Sequence, residues 1–200
     1  VLFRSGATIV PGSFATIFGG SLGGGATARA TSLPFPTSLA NVVVSVNGQL
    51  AQLSYVSDTQ INFIVPVNIS PGTAQVLVNT PIALSASTPV SVAATAPGIF
   101  FDAATGAGAV LIANTALTTQ VRPALTGDFL EVYTTGLGPS PVATATIAGL
   151  DAPVSYAGST AIPGLQQVNV RMPAGVPSGT QTLVLRVNGI QTNPVSIQVR

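Results

Sequence analysis

Residues 60–66, QINFIVP, decide the fold of this chain because they return with few changes as residues 167–173, QVNVRMP. In both stretches an amide side chain alternates with an apolar one, which is the pattern of a β-strand with one buried side and one solvent-facing side. A glycine, Gly72 or Gly179, stands six residues after the proline of each stretch. The repeated strand predicts two copies of one β-rich unit.

The sequences on either side of this strand repeat as well. Residues 12–18 (GSFATIF) align with residues 127–133 (GDFLEVY), and a Leu-Gly pair follows both at the same spacing. Further correspondences are Gly48 with Gly149, Tyr55 with Tyr156, and residues 90–92 with residues 195–197. A repeat of roughly a hundred residues matches the size of one immunoglobulin-like sandwich.

Apolar alternation and regularly spaced Gly and Pro residues indicate an all-β chain made of two tandem immunoglobulin-like antiparallel β-sandwiches. We expect the first sandwich over residues 6–96 and the second over residues 97–200, with the boundary at the turn-forming segment 96–101 (APGIFF). The predicted strands of the first sandwich are residues 14–18, 42–46, 51–56, 60–65, 74–78 and 90–94. Those of the second are residues 109–113, 129–134, 143–147, 152–156, 167–172, 180–187 and 195–199.

The composition excludes several classes of function. The 200 residues contain six Arg, no Lys, five Asp or Glu, and neither His nor Cys. Nucleic-acid binding needs a dense positive surface, and the usual zinc, haem, thiol and Ser-His chemistries need side chains that this chain lacks. We therefore predict no enzyme, no metal, no cofactor and no nucleic-acid partner. Gly, Pro or polar residues interrupt every apolar run before the roughly 18 residues of a membrane span, so no membrane span is expected.

The low charge bears on where the protein works. Soluble surfaces are usually about a quarter to a third charged, whereas 6% of this chain is charged and its net charge is +1. Such a surface favours an exported protein that is tethered, assembled or part of a longer chain over a free cytosolic monomer. Residues 1–5 (VLFRS) read like translated adapter sequence, so a non-native leader remains one interpretation of them.

Several motifs resemble those of a known family. They are residues 11–19 (PGSFATIFG), 46–48 (VNG), 55–66 (YVSDTQINFIVP), 96–100 (APGIF), 135–138 (TGLG) and 167–173 (QVNVRMP). Together they resemble the uncharacterised C-terminal domain family of Solibacter-type acidobacteria, and each half more distantly resembles the IPT/TIG immunoglobulin-like class. The resemblance implies a module at the C-terminal end of long, exported bacterial proteins, secreted or on the cell surface, and it supplies no catalytic residue.

Six residues form the candidate interaction face. Strand alternation puts the amides of Gln60 and Asn62 on one side of their strand, and those of Gln167 and Asn169 on one side of theirs. Tyr55 and Tyr156 occupy equivalent strands nearby. Two interpretations stay open: amides and tyrosines that hydrogen-bond neighbouring structure, or a polar platform on which a ligand such as a sugar stacks.

The acidic and glycine-rich segments carry little sign of catalysis. Asp128 and Glu131 lie three residues apart, which on a strand predicts opposite faces, so they make a poor glycosidase pair. Asp58, Asp102 and Asp151 are predicted in turns. The glycine-rich stretch 19–25 lacks the Lys-Ser/Thr ending of a phosphate-binding loop and predicts a flexible connection, while the scattered Arg residues predict solvated faces.

The sequence therefore predicts a non-enzymatic structural or adhesive module whose partners are other copies of itself or neighbouring domains of the parent protein. The strand-like segment Ala7-Thr8-Ile9-Val10 is the candidate assembly strand, which would complete the sheet of a neighbour and build a filament. The alternative is a glycan-binding module attached to a larger secreted enzyme, using Tyr55, Tyr156 and the nearby amides. The absence of Trp counts against that alternative.

Overall fold

The computed structural model describes residues 8–82, 84 and 87–200, and these residues contain β-strands and no α-helix. No segment of this described part is therefore a helix that could span a membrane. The chain divides into two compact units: residues up to 94 together with 161–164, and residues 95–160 together with 165–200. The division falls at residue 94 rather than 96, and the assignment of residues 161–164 to the first unit was not predicted.

The described residues of the first unit form nine strands. They are β1 (Thr8–Ile9), β2 (Phe14–Phe18), β3 (Ala28–Arg29), β4 (Val43–Val46), β5 (Gln49–Leu50), β6 (Gln52–Val56), β7 (Gln60–Ile64), β8 (Gly72–Asn79) and β9 (Thr88–Val92). One sheet has the order β2-β7-β6-β3 and the other β1-β9-β8-β4-β5. Every pair is antiparallel except β1 with β9, which run parallel.

Eleven strands build the second unit. They are β10 (Gly98–Ile99), β11 (Val110–Ile112), β12 (Leu117–Thr118), β13 (Phe129–Thr135), β14 (Ala143–Ile147), β15 (Leu150–Ala152), β16 (Val154–Ser159), β17 (Gln166–Arg171), β18 (Gly179–Val187), β19 (Ile190–Gln191) and β20 (Val195–Val199). One sheet has the order β12-β11-β13-β17-β16, with β10 also paired to β13. The other has the order β15-β14-β18-β19, with β20 also paired to β18.

The strand order in each unit is that of an immunoglobulin sandwich. In the first unit β2, β7 and β6 take the places of strands B, E and D, while β4, β8 and β9 take those of C, F and G. Strands β13, β17, β16 and β14, β18, β20 repeat this arrangement in the second unit. The predicted fold of two tandem immunoglobulin-like β-sandwiches is confirmed.

The two units also share their strand register. Ile17 lies opposite Ile61 in the β2–β7 pair, and Val132 lies opposite Val168 in the β13–β17 pair. These positions are equivalent in the alignment of residues 12–18 with 127–133. A register shift interrupts the β6–β7 pair just before Tyr55, and an equivalent shift interrupts the β16–β17 pair just before Tyr156. The two units therefore share the register shift beside the tyrosine as well as the pairing of their strands.

Each unit has its own apolar core. The side chains of Ile17, Ile61 and Phe63 are fully buried in the first unit, as are those of Leu130 and Val168 in the second. These residues alternate along their strands with polar or exposed ones, so one side of each sheet faces the core. Burying one such side chain contributes about 1.5–3 kcal/mol relative to leaving it exposed.

Two-residue turns close several hairpins. The turn between β4 and β5 is Asn47-Gly48, and both residues have positive φ (48° and 78°), as in a type I′ turn. Asn47 Oδ1 also accepts the Gln75 N–H at 2.7 Å. The second unit has Ala148-Gly149 at this place, with Ala148 at φ 52°. Alanine is strained in this left-handed region, where asparagine is tolerated.

Exchanging these turn residues tests the equivalence of the two units. Ala148→Asn is expected to stabilise the second unit by about 1 kcal/mol, because it relieves the left-handed alanine and offers an acceptor to the Thr182 N–H. Asn47→Ala is expected to destabilise the first unit by a similar amount. Urea unfolding resolved by amide hydrogen exchange in each unit measures both. A destabilising Ala148→Asn would contradict the equivalence.

Candidate functional site

The predicted interaction residues of the first unit lie together on the outer side of one sheet. Tyr55 on β6 lies directly opposite Asn62 on β7, and Gln60 lies on the same side of β7. The Gln60 Nε2 donates to Asn62 Oδ1 at 2.7 Å, and the Thr16 hydroxyl donates to the same oxygen at 3.0 Å. Tyr55, Gln60 and Asn62 are half-buried. We call these three residues the amide face of the first unit.

The amide face of the second unit, Tyr156, Gln167 and Asn169, has the same construction. Tyr156 lies opposite Asn169 across the β16–β17 pair. The Gln167 Nε2 donates to Asn169 Oδ1 at 2.6 Å. The Tyr156 hydroxyl donates to the Ser159 carbonyl at 2.7 Å, although 43% of this residue is exposed. The structure therefore brings together three predicted residues in each unit.

The two amide faces differ in charge. In the first unit the guanidinium of Arg29 lies 4.8 Å from the centre of the Tyr55 ring, within the range of a cation–π contact. In the second unit Glu131 takes the position of Thr16 opposite the asparagine, and the Tyr133 hydroxyl donates to its carboxylate at 3.4 Å. Burial and the negative charge of Glu131 raise the pKa of Tyr133. Both faces are suited to hydrogen bonding and aromatic contact.

The acidic side chains are engaged by their own loops. Arg122 makes two contacts with the Asp128 carboxylate, at 2.9 and 3.2 Å, and the Leu125 N–H donates to it at 2.8 Å. Asp102 accepts the N–H groups of Ala104 and Thr105 and the Thr105 hydroxyl. Within the described residues, no group of three or more His, Cys, Asp or Glu side chains is placed to hold a metal ion.

Three expectations about loops need correction. Arg122 is not a solvated charge, because it is paired with Asp128. Asp151 lies in strand β15 rather than in a turn. The glycine-rich segment 19–25 is not loose: Leu22 is buried, and the loop is tied to Asp58 by the Leu22 N–H to the Asp58 carbonyl and by the Gly25 N–H to the Asp58 carboxylate. The residues of the glycine-rich segment alone could not have predicted these hydrogen bonds, because Asp58 lies 33 residues after Gly25 in the sequence.

A groove that the sequence did not predict lies beside β5 in the first unit. It has a volume of ≈ 200 Å³ and is lined by Gln49, Leu50, Gln52, Ile64, Val65, Pro66, Val67 and Asn68. Gln52 Oε1 is buried without a hydrogen-bond partner among the described residues. None of the amide-face residues lines this groove, and nothing in the alternation of β6 and β7 would have pointed to it.

The candidate assembly strand completes a sheet of its own chain. Thr8 and Ile9 form β1 and lie opposite Ser91 and Val92 of β9, and Ile9 and Val10 are buried. Ala7 lies outside the described residues. Pairing of this segment with a neighbour would require it to leave β9, because the Ile9 side chain already packs in the first core. Its role in assembly stays a prediction.

No protein-family model matches this chain, and no curated protein matches it. Solved structures similar to it include SGBP-B of the mixed-linkage glucan utilization locus of Bacteroides ovatus (14% identity, TM-score 0.41, covering 96% of this chain and 43% of that one). SGBP-B from a complex xyloglucan utilization locus in Bacteroides uniformis is 18% identical (TM-score 0.34, 96% and 46%). Domains 5–6 of the S-layer protein SbsC are 15% identical (TM-score 0.34, 98% and 93%). The chain thus spans less than half of either Bacteroides protein, and its fold assignment rests on the strand order and register described above.

The Asp128 site predicts how the second unit responds to acid. Burial tends to raise the pKa of Asp128, but hydrogen bonds from Arg122 and Leu125 and the charge of Arg122 outweigh burial and lower it. A lowered folded-state pKa means that the carboxylate stabilises the fold above its unfolded pKa of about 3.9 and that this stabilisation is lost as pH falls through the lower folded value. Asp128→Asn is therefore expected to cost about 1 kcal/mol at pH 7 and to flatten the fall in stability below about pH 4.

Urea unfolding of the second unit between pH 7 and pH 2 measures this effect. Asp151→Asn, which removes a carboxylate from an exposed strand residue of the same unit, is the matched control for the loss of one negative charge. If the stability of the Asp128→Asn protein fell below about pH 4 as steeply as that of the wild type, the proposed role of the Asp128 carboxylate would be contradicted.

Proposed function

We propose that this chain is a non-enzymatic structural or adhesive module, part of an exported bacterial protein that acts at the cell surface or outside the cell. Its partners are other copies of the chain or neighbouring domains of the parent protein. The resemblance to the Solibacter-type C-terminal domain family and the nearly uncharged composition support this placement.

The observation that carries the proposal is the internal pairing of the amide faces. In both units the glutamine amide donates to the asparagine carbonyl oxygen, at 2.7 and 2.6 Å. In the first unit Thr16 fills a second acceptor site of the same oxygen. Side chains that already satisfy one another fix the outer surface of a sheet and offer less to a ligand than amides without partners.

The chemical inventory supports the same function. Acid–base catalysis at neutral pH depends mostly on histidine or on a carboxylate with a raised pKa. The sequence has no histidine, and the pKa values of Asp102 and Asp128 are lowered, not raised, by their hydrogen bonds. Neither of these two carboxylates therefore has the raised pKa that a general acid for glycan hydrolysis would need.

A glycan-binding module is the second candidate, and one observation favours it. Tyr156 is 43% exposed on the outer face of the second unit, beside Asn169 and Gln167. An exposed aromatic ring next to amides is the combination on which sugars stack and hydrogen-bond. Its hydroxyl donates to the Ser159 carbonyl, which fixes the orientation of the ring.

Alanine variants of the amide faces distinguish these functions. If the chain is a structural module, Gln60→Ala and Asn62→Ala are each expected to lower the free energy of unfolding by about 1 kcal/mol. The double variant is expected to show a coupling energy of about 0.5–1 kcal/mol, because both single variants remove the same hydrogen bond. Gln167→Ala and Asn169→Ala should behave alike in the second unit. Urea unfolding and a glycan array are run on the same proteins.

The two readouts separate the candidates. The structural function predicts the coupling together with no glycan signal for the wild type. A glycan signal that disappears in Tyr156→Ala or Asn169→Ala while the fold remains intact would replace it with the binding function. Ser155→Ala, at an exposed residue next to Tyr156 on β16, is the control for the array.

A further inference from the structure

Strands β6 and β16 are equivalent, but only β6 has neighbouring strands on both sides. Strand β6 pairs with β7 on one side and with β3 on the other. Strand β16 pairs with β17 and is the last strand of its sheet within the described residues. The connecting segments explain the difference: residues 19–42 join β2 to β4 and include β3, whereas residues 136–142 join β13 to β14 and contain no strand. The second unit therefore has no counterpart of β3.

The first unit shows what this edge of the sheet binds. Strand β3 lies antiparallel to β6. The Ala30 N–H donates to the Ser54 carbonyl at 3.0 Å, and the Leu53 N–H donates to the Pro36 carbonyl at 2.8 Å. The segment 28–36 is thus held along β6 by hydrogen bonds between backbone groups, which any peptide of suitable conformation can form.

One side chain of the bound segment also contacts β6. Arg29 lies opposite Tyr55 in the pairing of β3 with β6, and its guanidinium lies 4.8 Å from the centre of the Tyr55 ring. The negative face of an aromatic ring attracts a cation at this distance. The contact therefore favours an arginine at this position of the segment, beyond what the backbone hydrogen bonds require.

The second unit keeps the groups that bind the segment in the first. Both units have the register shift next to the tyrosine, so Val154 and Ser155 take the places of Leu53 and Ser54. The Val154 N–H and the Ser155 carbonyl therefore face the outer edge of β16. Tyr156, the counterpart of the tyrosine that the arginine contacts, is 43% exposed, and no arginine of the described residues lies over its ring.

We propose that the outer edge of β16, from Val154 to Ala157, binds an extended peptide segment of a partner protein by antiparallel strand pairing, with an arginine of that segment over the Tyr156 ring. The segment offers what residues 28–36 offer to β6: backbone N–H and carbonyl groups for the strand and a guanidinium for the ring. The Ser159 carbonyl lies beyond this stretch and already accepts the Tyr156 hydroxyl. The inference rests on the proposed adhesive function and names its surface and the chemistry of its partner.

A synthetic peptide with the sequence of residues 26–38, ATARATSLPFPTS, is the probe, because the first unit already binds this segment. The peptide is titrated into the full, ¹⁵N-labelled chain while amide chemical shifts and hydrogen exchange are measured. We expect shift changes along Val154 to Ala157. The N–H groups of these two residues should exchange more slowly as peptide is added, because both would donate to the bound strand.

Variants of the ring and of the peptide test the arginine contact. Tyr156→Ala removes the ring and is expected to raise the dissociation constant of the peptide about threefold or more. The matched control Tyr156→Phe keeps the ring and should bind as the wild type does. A peptide carrying Arg29→Gln should lose a similar factor against the wild type and nothing further against Tyr156→Ala. Urea unfolding of each variant verifies that the second unit is folded.

Several results would overturn the proposal. They are no binding of the peptide to the wild type, binding that neither Tyr156→Ala nor the Arg29→Gln peptide weakens, and shift changes at β6 instead of β16, which would mean that the peptide had replaced β3. Self-association of the chain without peptide that slows exchange at Val154 and Ala157 would assign the edge to a second copy and overturn it as well. None of these results changes the amide couplings or the glycan array, so the proposed function stands or fails separately.

Discussion

The pairing of β2 with β7, and of β13 with β17, is the constraint on which the rest of the structure depends. Because side chains alternate, a slip of one residue would turn Ile17, Ile61 and Phe63 out of the core and bury Gln60 and Asn62 in their place. The same slip in the second unit would bury Asn169 and Glu131. Burial of an unpaired amide or carboxylate costs several kcal/mol, so the register is strongly specified. The amide pairs on the outer face are a consequence of this register.

The shared register explains why two units with few identical residues have the same construction. Inward positions need only be apolar and of suitable size, so Ile17 is replaced by Val132 and Phe63 by Val170. Outward positions next to the bulge keep their chemistry, Tyr55 with Tyr156 and Asn62 with Asn169, because each fills a fixed place across the strand pair. The surroundings of the two faces differ: Arg29 contacts Tyr55 on the first, and Glu131 lies opposite Asn169 on the second.

The elements that sequence alone predicted are those with a local signal. Long strands with alternating side chains, such as β2, β14 and β20, lie at the predicted residues, and the common face of Gln60 and Asn62 followed from alternation. Strands of two residues such as β10 and β12 have no periodicity to detect. The tie from Asp58 to Gly25 joins residues 33 apart, and the ion pair of Arg122 with Asp128 depends on a loop conformation. The pairing of β13 with β10 and β11 joins residues far apart in the sequence, so neither short strand could be predicted from its own residues.

Contacts between α-protons across the two central strand pairs test this common register most directly. In an antiparallel pair the residues that do not exchange hydrogen bonds bring their α-carbons to about 4.5 Å, close enough for a strong nuclear Overhauser effect between α-protons. The observed register predicts this effect between Thr16 and Asn62 and between Glu131 and Asn169. Effects that join either strand to a residue one place further along, or a pattern present in one unit and shifted in the other, would contradict it.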